Sequence, residues 1–387
     1  MANIVDYLKW RGDLTLSERP FNDVDNLILA TLSYMDFSGI VPGPGQGSVN
    51  LADACNALMQ ETDGNVEERV RSLAKLDPKL ITRLSHSKRF GTMQLHDCVD
   101  VLDQERSLQF AALQIDLTPT ETYVSFRGTD STLVGWREDF MLSFTVTEAQ
   151  REAARYLERA LNDANESGRS LYVGGHSKGG NLAVYAALSC PIELLPQIAC
   201  VWSNDGPGIA PELLPVSPAT LLGERYVRIV PAYDMVGILF EREDDPRIVV
   251  SSDVSGARQH DPFTWQVTPY GMDEAELAPE SALIQEAINE WLLEVPLEQR
   301  AVLVDQLFNA LESGGAHTLD EVIESMRGLR DVLAAMGEMD ESTKELIRKL
   351  AGNVVSKTVE AAASAWQAAW EAVSSRMPSV GAPSTSS

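Results

Sequence analysis

The residues with the clearest capacity for chemistry stand in the run Gly175-His176-Ser177-Lys178-Gly179. It fits G-x-S-x-G, the spacing that sets a serine on a sharp turn between a strand and a helix. Leu171–Gly175 ahead of it is a short apolar run, and Gly179–Leu188 behind it has helical periodicity. Glycines suit the positions two residues to either side, where a side chain would collide with the neighbouring strand and helix. A serine so placed can act as a nucleophile, and the helix N-terminus favours negative charge that develops beside it. The competing reading is an ordinary tight turn after a strand.

A serine nucleophile needs a base and an acid, which strand–turn–helix hydrolases order as Ser, Asp or Glu, His along the chain. Two histidines follow Ser177: His317, in a helical region beside a cap, and His260, in a loop after an apolar strand. His260 is the expected base; alone, it would read as a solvated loop histidine. Asp234, just past Tyr226–Val230, is the favoured acid. Asp205, at the end of Ile198–Ser203, is its rival, or else simply starts a turn before Gly206. Both sit at strand C-terminal ends, where open α/β sheets form their sites. An oxyanion hole needs the backbone N–H of Lys178 and a second donor from a loop after an earlier strand. The stretch Thr122–Asp130 offers that loop, with Gly128 allowing close approach and Thr129 adding a hydroxyl; a hairpin-ending turn is the alternative.

The elements that must position these residues fall into three regions with no internal repeat. Residues 1–105 read as a helical segment packed on the core. One helix there is capped by Asn22 or Asp23 and carries Val24, Leu27, Ile28, Leu32 and Met35 on one face; a second covers Val49–Leu58. Residues 106–275 alternate short apolar strands with helices. The strands are Leu108–Leu117, Thr122–Phe126, Leu171–Gly175, Ile198–Ser203, Tyr226–Val230 and Arg247–Ser251, and the helices Thr147–Ala164 and Gly179–Leu188. That pattern predicts an α/β fold, a mostly parallel sheet with helices on both faces, opened by one antiparallel hairpin. Residues 276–377 read as an acidic helical region. Eight carboxylates from Asp273 to Glu298 face the single Arg300, and Val355, Val359, Ala362, Trp366, Trp370 and Val373 recur at helical steps. Residues 378–387 read as a disordered tail.

Composition narrows the function. With 387 residues and 44% hydrophobic content the chain can bury a sizeable core. A formal net charge of −26 argues against sequence-blind nucleic-acid binding, which needs clustered Lys and Arg, and against adsorption to anionic lipid. Cys55, Cys98, Cys190 and Cys200 show no ligand spacing and read as buried small hydrophobes, so neither a disulfide framework nor a metal site is expected. Without a signal-like N-terminus or an uninterrupted apolar span, a cytoplasmic protein with no stable membrane insertion is the expectation. Arg11-Gly12-Asp13 spells an adhesion tripeptide but reads as a turn.

The set Phe126-Arg127-Gly128-Thr129, Trp136, Asp139, the GHSKGG segment, Asp234 and His260 resembles the class 3 lipase group of α/β-hydrolases. With Asp6–Asp13, Asp25–Leu29, Gly135–Phe140 and Gln259–Asp261 added, the first 300 or so residues resemble more closely the bacterial Mbeg1-like family of domains of unknown function. The resemblance implies an α/β-hydrolase fold with Ser177, Asp234 and His260 as triad and Thr129 with Lys178 at the oxyanion hole. Two departures bear on substrate. Lys178 stands where those lipases have leucine, and Ser203–Pro207 replaces their aromatic-Gly-x-Pro pattern.

The expected function is a cofactor-free serine hydrolase cleaving a small-molecule acyl ester through an acyl-enzyme. An acyltransferase would use the same triad. A non-catalytic binding or scaffold protein on the same fold is weakened by the triad order, and would gain if His260 lay out of hydrogen-bond reach of Ser177 with no movable loop between.

Overall fold

The computed structural model describes residues 2–72, 76–103, 108–129, 141–234, 236–242, 244–279, 281–282 and 300. The expectations for Trp136, Asp139, His317, the C-terminal helical region and the tail lie outside them.

Eight strands form one sheet in chain order: β1 (Ser48–Asn50), β2 (Gln94–Asp103), β3 (Leu108–Thr118), β4 (Glu121–Phe126), β5 (Ser170–His176), β6 (Ile198–Asn204), β7 (Tyr226–Pro231) and β8 (Ile248–Val250). β1 to β4 pair antiparallel and β4 to β8 pair parallel. The predicted opening hairpin is β3–β4. β2 is a difference from the sequence reading, in which residues 1–105 are mostly helical. Its residues alternate around His96, Asp97 and Asp100 rather than forming an apolar run, because it pairs near the edge of the sheet and stays half-exposed. The expected boundary at 105 therefore falls inside the sheet.

Each face is covered by helices. On one lie α1 (Ile4–Arg11), α2 (Asp23–Leu32), α3 (Leu51–Glu61) and α4 (Lys79–Ser85). On the other lie α5 (Glu148–Ser167) and α6 (Lys178–Ser189), with the short α7 (Pro218–Leu222) near β7. The strand period of two divides β4 between them: Tyr123 joins the core under α1–α4, and Val124 and Phe126 join the core under α5 and α6.

Local chemistry fixes the helices that matter most. Asn22 caps α2 and forms a reciprocal capping box with Asp25, while Val24, Leu27, Ile28 and Leu32 are buried. Asp25 is itself wholly buried and pairs with the wholly buried Arg89, whose Nε donates to Oδ1 at 2.7 Å. Further N–H groups of Arg89 donate to the Arg19 and Pro20 carbonyls, so the guanidinium ties the entry of α2 to the chain after α4. α5 starts on a Thr147–Gln150 capping box and stops at Gly168, whose φ of +66° is the left-handed cap. Between them Ala149, Ala153, Tyr156, Leu157, Ala160, Leu161 and Ala164 form its buried stripe. The cysteines are free; Cys55, Cys190 and Cys200 are buried and Cys98 is half-buried. Among the described residues no helix is long and apolar enough to cross a membrane.

Candidate active site

β5 ends at His176 and α6 begins at Lys178, leaving Ser177 alone to turn the chain. Its φ of +57° and ψ of −129° lie in a sparsely populated region for a residue with a side chain. The turn is tight enough to dictate glycines. A Cβ on Gly175 would stand 2.3 Å from the Gly179 carbonyl carbon, and one on Gly179 would stand 2.2 Å from the Phe126 carbonyl oxygen. A backbone bond from Ser177 N–H to Asn204 O fastens the turn to the end of β6.

His260 comes from a one-turn helix at Gly256–His260 and meets the serine: Nε2 lies 3.0 Å from Ser177 Oγ. Its Nδ1 lies 2.6 Å from Oδ2 of Asp205. A carboxylate only accepts, so Nδ1 carries the proton and Nε2 is free to accept from the serine hydroxyl. Asp205 is wholly buried, and Gly237 N–H donates to its Oδ1 at 3.0 Å. Burial raises its carboxyl to about 6, against the opposing pull of Asp234, Gly237 and Arg228.

The favoured acid of the sequence reading is not the residue at the histidine. Asp234 is also wholly buried, but it sits behind Asp205, where its Oδ1 accepts from Val236 and Gly237 N–H at 3.0 and 2.8 Å. The reason lies in the strand ends. Asp205 follows β6 directly and takes a φ of +50° that turns it toward the site, while Asp234 lies three residues past β7 and turns its carboxyl back on the following loop. Burial, and then the neighbouring Asp205, hold the Asp234 carboxyl well above the ordinary range.

Lys178 is buried at the head of α6. Thr129 is buried directly after Gly128, in the loop that continues β4; Phe126 is in register with Gly175, so that loop emerges beside the serine turn. Gly128 is needed because a Cβ there would meet Tyr34 Oη at 2.2 Å and His176 O at 2.6 Å. Arg127, one residue earlier, holds Asp100 of β2 through two nitrogens at 2.6 and 2.7 Å.

Residues that the sequence reading missed brace this arrangement. His176 is buried, with Nδ1 2.8 Å from Tyr34 Oη and Nε2 2.8 Å from the His260 carbonyl. Because a carbonyl only accepts, Nε2 carries the proton and Tyr34 donates to Nδ1. Burial and the adjacent His260 push His176 well below the usual histidine range, so it is neutral. Asn204 donates to Gly175 O and accepts from Asn26 of α2, both at 2.9 Å. Gln259 accepts from Tyr233 N–H at 2.8 Å and donates to Val254 O at 3.0 Å, while Trp265 Nε1 donates to Gln259 O at 2.7 Å. Asn181 of α6 donates to Pro207 O at 2.9 Å, steadying the loop after Asp205. Polar residues beside G-x-S-x-G and the histidine were the available signal.

Among the described residues, His176, Asp205 and His260 form a group whose ligating atoms lie within 4.8 Å of one another. Their atoms already face hydrogen-bond partners. Both His176 nitrogens are taken by Tyr34 and the His260 carbonyl, and His260 Nδ1 by Asp205.

A mainly parallel sheet, a strained serine between β5 and α6, and acid and histidine on later strand-end loops together define an α/β-hydrolase fold. The chain belongs to the Mbeg1-like family, whose model matches residues 84–309. It is similar to a fungal lipase solved with an inhibitor (14% identity, 73% of this chain and 92% of that one, TM-score 0.37). It is also similar to the Lip2 lipase of Yarrowia lipolytica (12%, 67% and 87%, TM-score 0.35) and to the M37 lipase (16%, 55% and 68%, TM-score 0.34). No curated protein matches the chain.

Proposed function

We propose that this protein is a serine hydrolase acting on acyl esters, with Ser177 as nucleophile, His260 as general base and acid, and Asp205 as the carboxylate that orients the histidine. The observation that carries the reading is the continuous line from Ser177 Oγ to His260 Nε2 at 3.0 Å and from His260 Nδ1 to Asp205 Oδ2 at 2.6 Å. A hydroxyl is a poor nucleophile at neutral pH. Transfer of its proton to Nε2 as it attacks removes that handicap, and the buried Asp205 anion stabilises the imidazolium formed.

Attack on the ester carbonyl generates an oxyanion. The Lys178 backbone N–H, first in α6, is the proposed donor, with Thr129 as the second; the helix dipole adds to the same field. The proton on Nε2 then passes to the departing alcohol, leaving an acyl group on Ser177 Oγ. Water, deprotonated by the same nitrogen, releases the acid and restores the serine. A scaffold without chemistry would gain from a His260 out of reach of Ser177, and the 3.0 Å separation favours the hydrolase reading instead. The net charge of −26 favours neutral, small soluble esters over anionic lipid surfaces as substrates.

Labelling with a fluorophosphonate probe tests this directly. The wild type should be labelled at Ser177 and Ser177→Ala should not; equal labelling of the two, or none of the wild type, would sink the reading. A panel of acyl esters of graded chain length, with Ser177→Ala as blank, then defines the acyl group.

A further inference from the structure

We infer that Asp234 is held as a neutral carboxylic acid whose Oδ2–H donates to the Asp205 carboxylate, making Asp234 a positioning residue one step behind the histidine's partner. The inference rests on the Ser177–His260–Asp205 reading for its catalytic consequence and on geometry alone for the proton.

The hydrogen-bond inventory locates that proton. Both carboxyls are wholly buried and flank Gly237, whose N–H bonds to both of them. Two anions at one N–H, away from water, are strongly unfavourable, so the pair holds one proton. Asp205 spends both oxygens as acceptors, Oδ2 from His260 and Oδ1 from Gly237. Asp234 spends Oδ1 on Val236 and Gly237, and its Oδ2, fully enclosed, has no N–H donor. An oxygen in that position is costly as an anion and satisfied as a hydroxyl, which places the proton on Asp234 Oδ2 and the charge on Asp205.

Gly237 is the joint of the device. Its one N–H serves both carboxyls, and a Cβ there would stand 2.8 Å from Asp205 Oδ1 and 2.8 Å from Asp234 Oδ2. The other charged groups facing the pair are His260, Arg228 of β7 and Glu241. Arg228 bonds the Gly237 carbonyl and the Glu241 carboxylate, which Arg247 shares, and its positive charge helps keep Asp205 ionised. The pair therefore carries one negative charge opposite the one positive charge His260 acquires. The acid's hydrogen bond also keeps Asp205 ionised to lower pH than burial alone would allow, and its carboxyl stands at about 6.

The test follows the rate of fluorophosphonate labelling of Ser177 against pH in wild type, Asp234→Asn and Asp234→Ala. The wild-type rate should fall on the acid side with a midpoint near about 6. Asparagine can donate its amide N–H to Asp205 and should keep that midpoint, whereas alanine should move it up by about one unit. A merely structural role would slow both variants at every pH with no shift, and that result overturns the positioning role. In parallel, infrared spectra at pH 8 should show the C=O stretch of a buried protonated carboxylic acid in wild type and Ser177→Ala, lost in Asp234→Asn. Carbon-13 carboxyl NMR of aspartate-labelled wild type reads the same proton without a variant. No such acid in either experiment overturns the shared proton. A protonated acid in a wild type that never labels at Ser177 refutes the triad reading and the positioning role with it, while leaving the acid pair standing.

Discussion

The imidazole of His176 holds the main chain of His260: Nε2 donates to the His260 carbonyl at 2.8 Å, while Tyr34 fixes the other ring nitrogen. The residue before Ser177 thus fixes where His260 begins, independently of the bond between serine and histidine. Ring centroids of the two histidines lie 4.8 Å apart, close enough that a protonated His176 would oppose the imidazolium that the proposed mechanism forms at His260. Its neutrality matters for that reason.

His176→Ala removes the buried ring that bonds both the Tyr34 hydroxyl and the His260 carbonyl. Stability should fall by about 1–3 kcal/mol. The rate of Ser177 labelling should fall about 100-fold, because a base displaced by roughly an ångström loses the attack geometry. Urea unfolding and labelling kinetics read the two effects separately; unchanged labelling kinetics would remove His176 from the site's supports.

Burial gives the stability of the fold a definite pH slope. Asp205 stands at about 6 in the folded chain, above the carboxylate value near 4 of an unfolded one. Between those values the folded state retains a proton that the unfolded state has lost. This contribution to stability is complete below about pH 4 and disappears as pH rises through about 6; Asp234 acts with the same sign. Asp205→Asn removes its share of the slope, so the variant should gain on the wild type as pH rises from 4 to 7. Parallel urea midpoints across that range would contradict the assignment.

The Asp25–Arg89 pair predicts an asymmetric mutational response. Removing one partner strands a fully buried charge, and Arg89→Ala should cost about 3–5 kcal/mol in urea unfolding. Replacing both, as Asp25→Leu with Arg89→Met, should cost less than either single change. A double variant at the sum of the two would show that the charges act separately.

Gly179→Ala tests the geometry of the serine turn. Its methyl would stand 2.2 Å from the Phe126 carbonyl, so α6 must retreat from β4. The variant should lose about 3 kcal/mol and fail to label at Ser177. Wild-type labelling there would mean that the turn is looser than its contacts indicate.

What sequence reading recovers depends on whether a signal is local. The serine turn is written in consecutive residues, and strand–turn–helix follows from the apolar run before Gly175 and the periodic run after Gly179. β5, β6 and β7 read easily because a strand buried on both faces is continuously apolar. β2 does not, since at the sheet's edge polar and charged residues alternate through it. The choice between Asp205 and Asp234 is harder still. Both stand past strand ends, and what separates them is the positive φ of Asp205 and the two N–H groups that draw Asp234 toward the loop beyond it. Neither leaves a mark on the spacing. Support from α2 is equally hidden, because Asn26 and Tyr34 reach the site across more than a hundred residues of chain.

That reach sets a practical boundary. The family model begins at residue 84, yet Asn26, Leu29 and Tyr34 bond to Asn204, Ser125 and His176 from well upstream of it. A fragment cut at the matched range would keep Ser177, His260 and both aspartates but discard the clamp beneath the turn and expose one whole side of the sheet. Expression designs that preserve this site must therefore retain α2 and Tyr34 after it, and the intact structural unit is larger than the segment by which the family is recognised.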